Sequence, residues 1–333
     1  MRNITKTEIE NYIQKINNYF ISLFSGEPSE LYDASSLYIK SGGKRLRPIM
    51  VIKSCEMFGG SQEDALPAAS AVEFIHNFSL VHDDIMDNDD LRHGIPTVHK
   101  KFGLPIAILS GDILFSKAFQ ILSTNNNKSL KESSLLTMIR KLSAACIDIC
   151  EGQCKDLQFS RAYNFPTEDE YIQMIAKKTA ALFEVSCSLG TLSSRNATEN
   201  DVNKMADFGK NSGIAFQLID DLIGISGDIK KTGKAVGNDI REGKKTYPIL
   251  LSINKASELE RTQILNVFGK AECESTSLKK AIDTISSLQI ENIVRKNAMD
   301  YIKKAMNSIN HYEDSDAKNM LIEISHFIVE RSK

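Results

Sequence analysis

The sequence predicts an all-α protein, a single-domain helical bundle that spans residues 1–333. Apolar residues recur at spacings of three and four along most of the chain, as on the buried face of an amphipathic helix. No stretch shows the sustained alternation of apolar and polar residues that is typical of a strand. No shift in composition, internal repeat or low-complexity stretch marks a second domain, so we expect one helical core.

The first half of the chain contains the clearest helix signals. Gly42 and Gly43 break the periodic pattern once, and Gly94 and Pro96 interrupt it again. The predicted helices cover residues 5–24, residues 30–39, a segment that begins near Pro48, a long segment that starts at the N-cap Ser61 and runs to the acidic residues 83–87, residues 104–122 and residues 130–156.

The second half continues the helical pattern. Thr167 and Glu170 have the spacing of a capping box, which opens the next predicted helix. Thr198 or Asn200 caps the helix after that. Residues 224–245 are rich in Gly and Lys and therefore predict a loop, which is followed by amphipathic helices to the end of the chain.

Composition excludes several classes of partner. Hydrophobic residues make up 42% of the chain and charged residues 25%, with a net charge of −2. No basic stripe interleaved with aromatic residues is present, so nucleic acid is not an expected partner. The N-terminus lacks an apolar stretch of signal-peptide length, and no run approaches the roughly 18 apolar residues of a membrane span. A cytoplasmic protein without a membrane span is therefore expected.

The six cysteines form no CxxC pair. Cys146, Cys150 and Cys154 recur every four residues, which places their thiols on one helix face. A metal site there is conceivable, but small residues at a helix–helix contact in a reducing compartment explain the spacing more simply. No disulfide is expected.

The stretch from Asp83 to Asp87 is the strongest functional signal. Residues four apart lie on one face of a helix, so these two aspartates direct their carboxylates to one place, with Asp84 about 100° to the side. Mg²⁺ fits such a pair best, because it binds one or two carboxylates, keeps waters and accepts phosphate oxygens. A solvated acidic helix end is the alternative, but residues 71–81 are largely apolar and Arg92 follows closely.

A second acidic pair, Asp220 and Asp221, ends another apolar run at residues 214–219. On facing helices, the two acidic motifs would form one polynuclear metal site. No Ser-His-Asp or Cys-His arrangement with recognisable spacing competes with this interpretation. The glycine-rich stretches match neither a P-loop nor a dinucleotide fingerprint.

A basic segment supplies the opposite charge. Lys44, Arg45 and Arg47 stand between two glycines and the start of a predicted helix. Side-chain charge and free N–H groups at such a place suit a phosphate oxyanion. A solvated basic turn is the alternative that composition alone leaves open.

Three runs carry a resemblance to a known family: HNFSLVHDDIMD at 76–87, GGKRLRP at 42–48 and FQLIDD at 216–221. In their order and approximate spacing they resemble the trans-isoprenyl diphosphate synthases, and within them the archaeal geranylgeranyl diphosphate synthases. The resemblance extends from residue 42 to residue 245 and so covers most of the chain. It implies a bundle of the isoprenoid synthase type around a deep central cavity, with two facing Asp-rich motifs.

The resemblance also implies a reaction. A Mg²⁺-dependent prenyltransferase would ionise an allylic diphosphate (dimethylallyl, geranyl or farnesyl), add isopentenyl diphosphate to the cation and release a proton. Geranylgeranyl diphosphate is the expected product, and two or three Mg²⁺ ions and a homodimer are expected. The alternatives are a farnesyl or longer-chain synthase, a non-catalytic isoprenoid-binding subunit, and a terpene cyclase or head-to-head synthase, against which GGKRLRP speaks.

Matched residue by residue, the resemblance implies a role for each motif position. The expected metal ligands are Asp83, Asp87 and Asp220, with Asp84 and Asp221 in support. The residues expected to hold the allylic diphosphate are Arg92, Lys178 and Lys234, while dipoles near the cation are expected from Thr179 and Gln217. The residues expected around isopentenyl diphosphate are Lys44, Arg47 and His76, with Lys244 in a closing loop and Gln153 and Asp156 as a supporting pair.

Two positions depart from the family pattern. The second acidic motif usually ends in a third Asp, where this chain has Gly224; the first Asp is the expected ligand, so we expect the metal site to survive. A second arginine usually follows the first motif, where this chain has the substrate-binding candidate His93. Histidine offers at most two donors, against five on a permanently charged guanidinium. Either isopentenyl diphosphate binds more weakly, or the nearby phosphate protonates His93.

Product length is expected to depend on the helix that carries Asp83. Phe78 lies about 7.5 Å lower along the helix axis, and its ring would be the first large aromatic group below the metal site. Ser79 beside it is small enough to let a prenyl chain pass. A single aromatic at this place resembles the C20 synthases, whereas C15 enzymes have bulk at both positions. The alternative is that Phe78 packs in the core, away from the cavity.

Overall fold

A computed structural model of the chain describes residues 6–124, 130–226, 237–270 and 272–331. Helices make up nearly all of the regular structure in these ranges, which confirms the all-α class. Contacts divide the chain into two compact units. Unit 1 comprises Met1–Cys146, Leu182–Gly209 and Ile309–Ile324, and unit 2 comprises Ile147–Ala181, Lys210–Ser308 and Ser325–Lys333. A single domain over the whole chain, with facing acidic motifs, stays a prediction.

The described elements follow in chain order. The first group is α1 (Lys6–Ser22), α2 (Ser29–Lys40), α3 (Leu46–Met57), α4 (Gln62–Met86), a hairpin of β1 (Leu91–Arg92) and β2 (Ile95–Pro96), α5 (Val98–Phe102) and α6 (Leu104–Ser123). The second group is α7 (Glu132–Arg161), α8 (Glu168–Ile175), a π-helical turn (Ala176–Ala180), α9 (Ala181–Ser193) and α10 (Glu199–Ser226). The third group is α11 (Asn238–Arg241), α12 (Tyr247–Lys255), α13 (Glu258–Leu265), α14 (Ser275–Ser287), α15 (Ile290–Ile309) and α16 (Asp316–Glu330).

Several helices begin at side-chain caps that local sequence specifies. Reciprocal capping boxes, in which each residue accepts the backbone N–H of the other, pair Ser61 with Asp64, Thr167 with Glu170 and Ser257 with Glu260. At α10 the cap is Thr198 rather than Asn200, because Thr198 Oγ1 accepts from the backbone N–H of Asp201 at 3.3 Å. These bonds satisfy N–H groups that have no partner inside the helix.

α4 is the central helix of unit 1. It packs against α3 and α6. Val72, Phe74 and Ile75 have no exposed surface, and burying each such side chain contributes about 1.5–3 kcal/mol. This apolar segment anchors the helix whose carboxyl-terminal end carries the first acidic motif.

Unit 2 holds the second acidic motif at the end of an equally buried segment. Leu218 and Ile219, which directly precede that motif on α10, have no exposed surface. α8 packs against α12 in the same unit, where Ile175 and Ile249 are buried. Both acidic motifs therefore follow buried apolar residues, as the sequence predicts.

α6 is long and apolar enough to cross a membrane by length and composition alone, and within the described residues it is the one helix with these properties. Of its most apolar stretch, 33% is buried, and it packs against α2, α4 and α5. A core helix of a folded domain passes the same test, so α6 is weak evidence for a membrane span.

The structure corrects several expected boundaries. α7 extends beyond the expected end at residue 156, and Gly224 lies inside α10 rather than at the start of a loop. The interruption at Gly94 and Pro96 is a two-stranded hairpin. The segment expected to continue α8 is the π-helical turn Ala176–Ala180. Composition marks where a helix is disturbed, but it does not show which backbone structure the disturbance takes.

Candidate active site

The acidic run at the end of α4 places two carboxylates on one face of the helix. The backbone N–H of Asp87 donates to the carbonyl of Asp83 at 2.8 Å, which is the bond of one helical turn. Asp83 is half-buried and Asp87 is exposed. Their side chains therefore lie one above the other, where one cation can contact both.

Asp84 has a different environment. It is 1% exposed. Nε of Arg92 donates to its two carboxylate oxygens at 2.8 and 3.0 Å, and Nη2 of Arg92 lies 2.6 Å from Oδ1. The Tyr38 hydroxyl donates to Oδ2 as well. These contacts occupy the Asp84 carboxylate, so it orients Arg92 rather than facing solvent.

A tight hairpin presents Arg92 to Asp84. Arg92 pairs with Ile95 across β1 and β2. The two turn residues, His93 and Gly94, have φ values of 51° and 79°, as in a type I′ turn. Histidine is one of the few residues besides glycine that is enriched at positive φ. Backbone conformation is therefore one physical reason for a histidine where the resemblance expects an arginine.

The basic segment before α3 separates into one buried and two more accessible side chains. Nη1 of Arg45 lies 2.6 Å from Oε1 of Glu73, and the two side chains are 3% and 4% exposed. Arg45 also donates to the side-chain oxygen of Asn17 on α1 and to the backbone carbonyl of Ile39 on α2. Lys44 is exposed and Arg47 is half-buried. Arg45 is therefore structural, which leaves Lys44 and Arg47 as the residues suited to an anion.

Arg47 lies against His76 on α4. Nη1 of Arg47 is 3.3 Å from Nε2 of His76, and its guanidinium carbon is 4.4 Å from the ring centroid of Phe183. Burial, and then the charges of Arg47 and Arg92, lower the pKa of His76 well below its ordinary value. Because arginine has no acceptor, a neutral His76 accepts at Nε2 and carries its proton on Nδ1.

The second acidic motif, like the first, combines accessible and buried carboxylates. The Asp220 side chain is 54% exposed, whereas Asp221 is 5% exposed. Asp221 accepts from the Tyr171 hydroxyl at 2.5 Å, the Gln217 amide at 2.8 Å and the Tyr247 backbone N–H at 3.3 Å. Burial raises the pKa of Asp221 to about 7, against the effect of its hydrogen bonds. Asp220 is therefore the available ligand of this pair.

Lys178 and Thr179 lie on the π-helical turn Ala176–Ala180. Such turns widen a helix by one residue and are frequent at functional sites. Lys178 forms an ion pair with Asp156. Thr179 Oγ1 donates to Gln217 Oε1 at 2.8 Å. The structure thus places Lys178 beside Asp156 and Thr179 beside Gln217.

α7 contacts this turn through Gly152. A Cβ at that position would lie 2.3 Å from the backbone nitrogen of Lys178, so the two backbones touch and only glycine fits. Gln153 beside it is 7% exposed, and its Oε1 has no hydrogen-bond partner within the described residues. A buried acceptor in this state is costly, and a ligand donor or a water can satisfy it.

The remaining expected lysines have different positions. Nζ of Lys244 lies 2.8 Å from Glu242 Oε2, and its backbone N–H donates to the Asp239 carbonyl at 2.9 Å. The adjacent Lys245 donates to backbone carbonyls at and after the end of α7, so Lys245 is structural. Lys234 lies outside the described residues.

The accessible carboxylates suit Mg²⁺ that binds together with a diphosphate. Among the described residues, no three His, Cys, Asp or Glu side chains come together as a metal cage. The accessible carboxylates are instead Asp83 and Asp87 in the first motif, and Asp220 in the second. Mg²⁺ is usually held by one or two carboxylates, waters and substrate phosphates rather than by an all-protein cage. The oxygen donors present therefore fit this ion.

Comparison with known proteins identifies the family. Residues 28–285 match the family model described as Polyprenyl synthetase. The chain belongs to the polyprenyl synthetase family. It is 40% identical over 326 residues to a geranylgeranyl diphosphate synthase from Sulfolobus acidocaldarius, which covers 96% of this chain and 97% of that protein. The crystal structure of a geranylgeranyl pyrophosphate synthetase from Pyrococcus horikoshii Ot3 matches with a TM-score of 0.90 and 37% identity, over 98% of both chains. This polyprenyl synthetase is a trans-prenyltransferase.

Relatives of this polyprenyl synthetase differ in their products. A geranylfarnesyl diphosphate synthase from Aeropyrum pernix is 35% identical over 322 residues, which covers 96% of this chain and 99% of that protein. Relatives named for products of different length thus match this chain over the same share of its length. Overall similarity therefore gives the class of reaction and leaves the product length open.

Two tyrosines of this polyprenyl synthetase hold the buried aspartates, and the sequence motifs did not indicate them. Tyr38 on α2 contacts Asp84, which lies 46 residues away, and Tyr171 on α8 contacts Asp221, which lies 50 residues away. Burial, and then the neighbouring carboxylate, raise the pKa of each tyrosine. Both hydroxyls therefore stay protonated and donate. No spacing rule connects residues so far apart, so local sequence carries no signal for them.

The structure also explains the glycine in the second motif. A Cβ on Gly224 would lie 2.2 Å from Oδ2 of Asp239 on α11, and Asp239 is 7% exposed. A carboxylate from another segment thus lies where the side chain of a third Asp would begin. The survival of the metal site despite this departure stays a prediction.

Proposed function

We propose that this polyprenyl synthetase is a Mg²⁺-dependent geranylgeranyl diphosphate synthase that condenses isopentenyl diphosphate with dimethylallyl, geranyl and farnesyl diphosphates. The observation that carries the proposal is the repeated arrangement of the acidic motifs. Each motif has one buried aspartate held by a tyrosine, and the accessible carboxylates are Asp83 and Asp87 in the first motif and Asp220 in the second. That arrangement offers metal ligands while fixing the neighbouring groups, as a diphosphate site requires.

Ionisation of the allylic diphosphate would use the accessible carboxylates of both acidic motifs. Asp83, Asp87 and Asp220 would bind Mg²⁺, with two or three ions in total. Bound there, Mg²⁺ would stabilise the charge that develops on the leaving diphosphate. Arg92 and Lys178 would supply fixed positive charge to the same diphosphate, because each is already oriented by a carboxylate. Lys234 belongs to this set by resemblance alone.

The allylic cation would lie near Thr179 and Gln217. Thr179 donates its hydroxyl proton to Gln217, and Gln217 in turn donates to Asp221. This chain of hydrogen bonds leaves lone pairs of the Thr179 oxygen for a cation. Oxygen dipoles fixed in this way stabilise positive charge without reorganising during the reaction.

Isopentenyl diphosphate would bind the basic segment of unit 1. Lys44 and Arg47 would contact its phosphates, and neutral His76 would donate from Nδ1. Its double bond would attack the cation, and the proton lost from the new chain would pass to an oxygen of the departed diphosphate. Lys244, which the resemblance also assigns to the substrate, would add a further positive charge.

His93→Arg is expected to lower the KM for isopentenyl diphosphate about three- to tenfold, with little change in kcat. A guanidinium adds a charge-assisted hydrogen bond of about 1.5–3 kcal/mol, but a positive φ costs an ordinary residue roughly 1–2 kcal/mol. Steady-state rates with isopentenyl diphosphate varied at saturating farnesyl diphosphate measure the effect. His311→Arg, at an exposed histidine of unit 1, is the matched control. An unchanged or raised KM would mean that position 93 has another role.

The proposed C20 product rests on an aromatic row below Asp83. Phe78 is half-buried on α4, and its ring centroid lies 4.7 Å from that of His82 and 5.3 Å from that of Phe115 on α6. Phe115 lies 5.1 Å from Phe119 in turn. Phe115 and Phe119 on a second helix would thus extend the barrier that the sequence assigns to Phe78 alone. A prenyl chain that grows along α4 would stop at this row.

Phe78→Ala is expected to shift the product from C20 to longer prenyl diphosphates, whereas Ser79→Phe is expected to shorten it toward C15. Phe115 remains behind the new space, so the main product of Phe78→Ala should gain one C5 unit and the double variant with Phe115→Ala should gain more. Chromatography of radiolabelled products measures chain length. Phe58→Ala, at a ring that packs edge-to-face against Tyr312 instead, should keep the C20 product. If Phe78→Ala and Ser79→Phe both make the wild-type length, the barrier lies elsewhere.

One assay separates the proposal from its alternatives. Radiolabelled isopentenyl diphosphate is incubated with each allylic diphosphate and Mg²⁺, and the products are separated by chain length. A C20 product from each starter supports the proposal. A C15 product, or one longer than C20, would identify a different chain-length synthase. Absence of turnover with every starter would instead indicate a non-catalytic isoprenoid-binding subunit.

A homodimer and a cytoplasmic location belong to the same proposal. Leu104, Ile108 and Leu109 are exposed along α6. An apolar face of this kind marks a contact site for another protein surface. A second copy of the chain is the partner that the resemblance implies.

A further inference from the structure

Arg331, which follows α16, lies beside the accessible carboxylate of the second acidic motif. Its Nη2 is 3.2 Å from Oδ1 of Asp220 and donates to the backbone carbonyl of Phe216 at 2.8 Å. Its guanidinium carbon is 3.9 Å from the Phe216 ring centroid. The Arg331 side chain is 4% exposed, against 54% for Asp220. The guanidinium therefore reaches Asp220 from the protein interior, while much of the carboxylate stays open to solvent.

Neighbouring contacts fix this arginine in unit 2. Its backbone N–H donates to the Phe327 carbonyl at 3.0 Å. Arg295 on α15 donates to the Val329 carbonyl at 2.9 Å, and Ile328 has no exposed surface. The buried cation thus sits on an anchored turn and is held in place before any ligand binds.

The burial of Arg331 is not explained by its own hydrogen bonds. Its Nε has no hydrogen-bond partner within the described residues. A buried charge that is incompletely paired lowers stability. The Arg331 guanidinium stays buried although this lowers stability, and it contacts an expected metal ligand. These two observations indicate a role at the site rather than in packing.

We propose that Arg331 is a positioning residue for the metal ligand Asp220, an inference that rests on the proposed function. By binding Oδ1, Arg331 restricts the carboxylate to one orientation and leaves Oδ2 for Mg²⁺. Metal-binding carboxylates are commonly hydrogen-bonded by a second group, and loss of that group typically weakens metal binding about 10- to 100-fold. Simple repulsion between the guanidinium and the metal would give the opposite result, so the sign of the effect separates the two.

The test measures metal binding without turnover. Arg331→Met removes the donors and keeps most of the buried stem, whereas Arg331→Lys keeps the charge. Electron paramagnetic resonance of free Mn²⁺, with inorganic pyrophosphate present, reports binding at the site. We expect Arg331→Met to weaken Mn²⁺ binding about 10- to 100-fold and Arg331→Lys to restore part of the affinity. The Mg²⁺ concentration for half-maximal rate should rise in parallel, with kcat largely recovered at high Mg²⁺.

Lys318→Met is the matched control. Lys318 on α16 is also a buried cation, with a side chain 7% exposed, and it donates to the carbonyls of Asn310 and Tyr312. Its removal should lower the melting temperature without changing Mn²⁺ affinity. If Arg331→Met does not fold, Arg331→Gln is measured instead, with weaker Mn²⁺ binding expected again.

Asp220→Asn separates this inference from the proposed function. Wild-type Mn²⁺ binding in Asp220→Asn would overturn the metal site itself. Weak binding in Asp220→Asn, with unchanged or tighter binding in Arg331→Met, would overturn only the positioning role. Weak binding in both, with no further loss in the double variant, would support it.

Discussion

Asp83→Ala is expected to slow the condensation about 100-fold or more, which corresponds to about 3 kcal/mol of transition-state stabilisation. The carboxylate shares a helix face with Asp87, and negative charge on the leaving diphosphate develops as the allylic bond breaks. The loss should therefore appear in kcat more than in KM. Asp220→Ala should cause a comparable loss, because Asp221 of that pair is buried. Initial rates with radiolabelled isopentenyl diphosphate, at several Mg²⁺ concentrations, measure both variants.

Stability distinguishes this loss from damage to the fold. Asp83 is partly accessible, so Asp83→Ala should leave the melting temperature close to that of the wild type. Asp84→Ala should lower both rate and melting temperature, because Arg92 would lose its counter-charge. Asp300→Ala removes a half-exposed carboxylate that pairs with Lys303 and should change neither. Wild-type rates from Asp83→Ala would show that the first motif is acidic surface, and the proposed function would lose its main support.

The starts of capped helices could be predicted because they depend on residues within one turn of each other. Ser61 and Thr167 cap their helices through groups three residues away, and apolar periodicity acts over a similar distance. The start of the expected loop at residues 224–245 was less accessible to such reasoning, since α10 includes Gly224, beside which lies a residue distant in sequence. Asp239 fills the space beside that glycine.

Which charged residues of the site are buried in structural contacts and which stay accessible could not be predicted, because this depends on contacts between distant segments. Nothing in the run GGKRLRP distinguishes Arg45 from Lys44 and Arg47 until Glu73 is seen to bury it. The resemblance nevertheless assigned the other two basic residues to the substrate. The resemblance also distinguished the expected metal ligands from the supporting aspartates Asp84 and Asp221. It gave no indication that tyrosines contact these two aspartates.

Glu73→Ala is expected to lower the free energy of unfolding by about 3–5 kcal/mol, because it leaves the buried Arg45 without its counter-charge. The two groups lie 2.6 Å apart and are 3% and 4% exposed, and Asn77 also contacts the Glu73 carboxylate at 3.3 Å. Urea unfolding followed by circular dichroism measures the loss. Since Lys44 and Arg47 flank Arg45, the KM for isopentenyl diphosphate should rise in the same variant.

The double variant Arg45→Met with Glu73→Leu tests whether unpaired charge is the cause. It removes both charges and keeps much of the buried volume, and such replacements are often neutral or stabilising. It should therefore be more stable than Glu73→Ala alone, while Asp300→Ala, which breaks an exposed pair, should cost about 0–1 kcal/mol. A cost for Glu73→Ala no larger than that of the exposed pair would mean that Arg45 is not held by Glu73. Three basic side chains of the segment, rather than two, would then be available to the substrate.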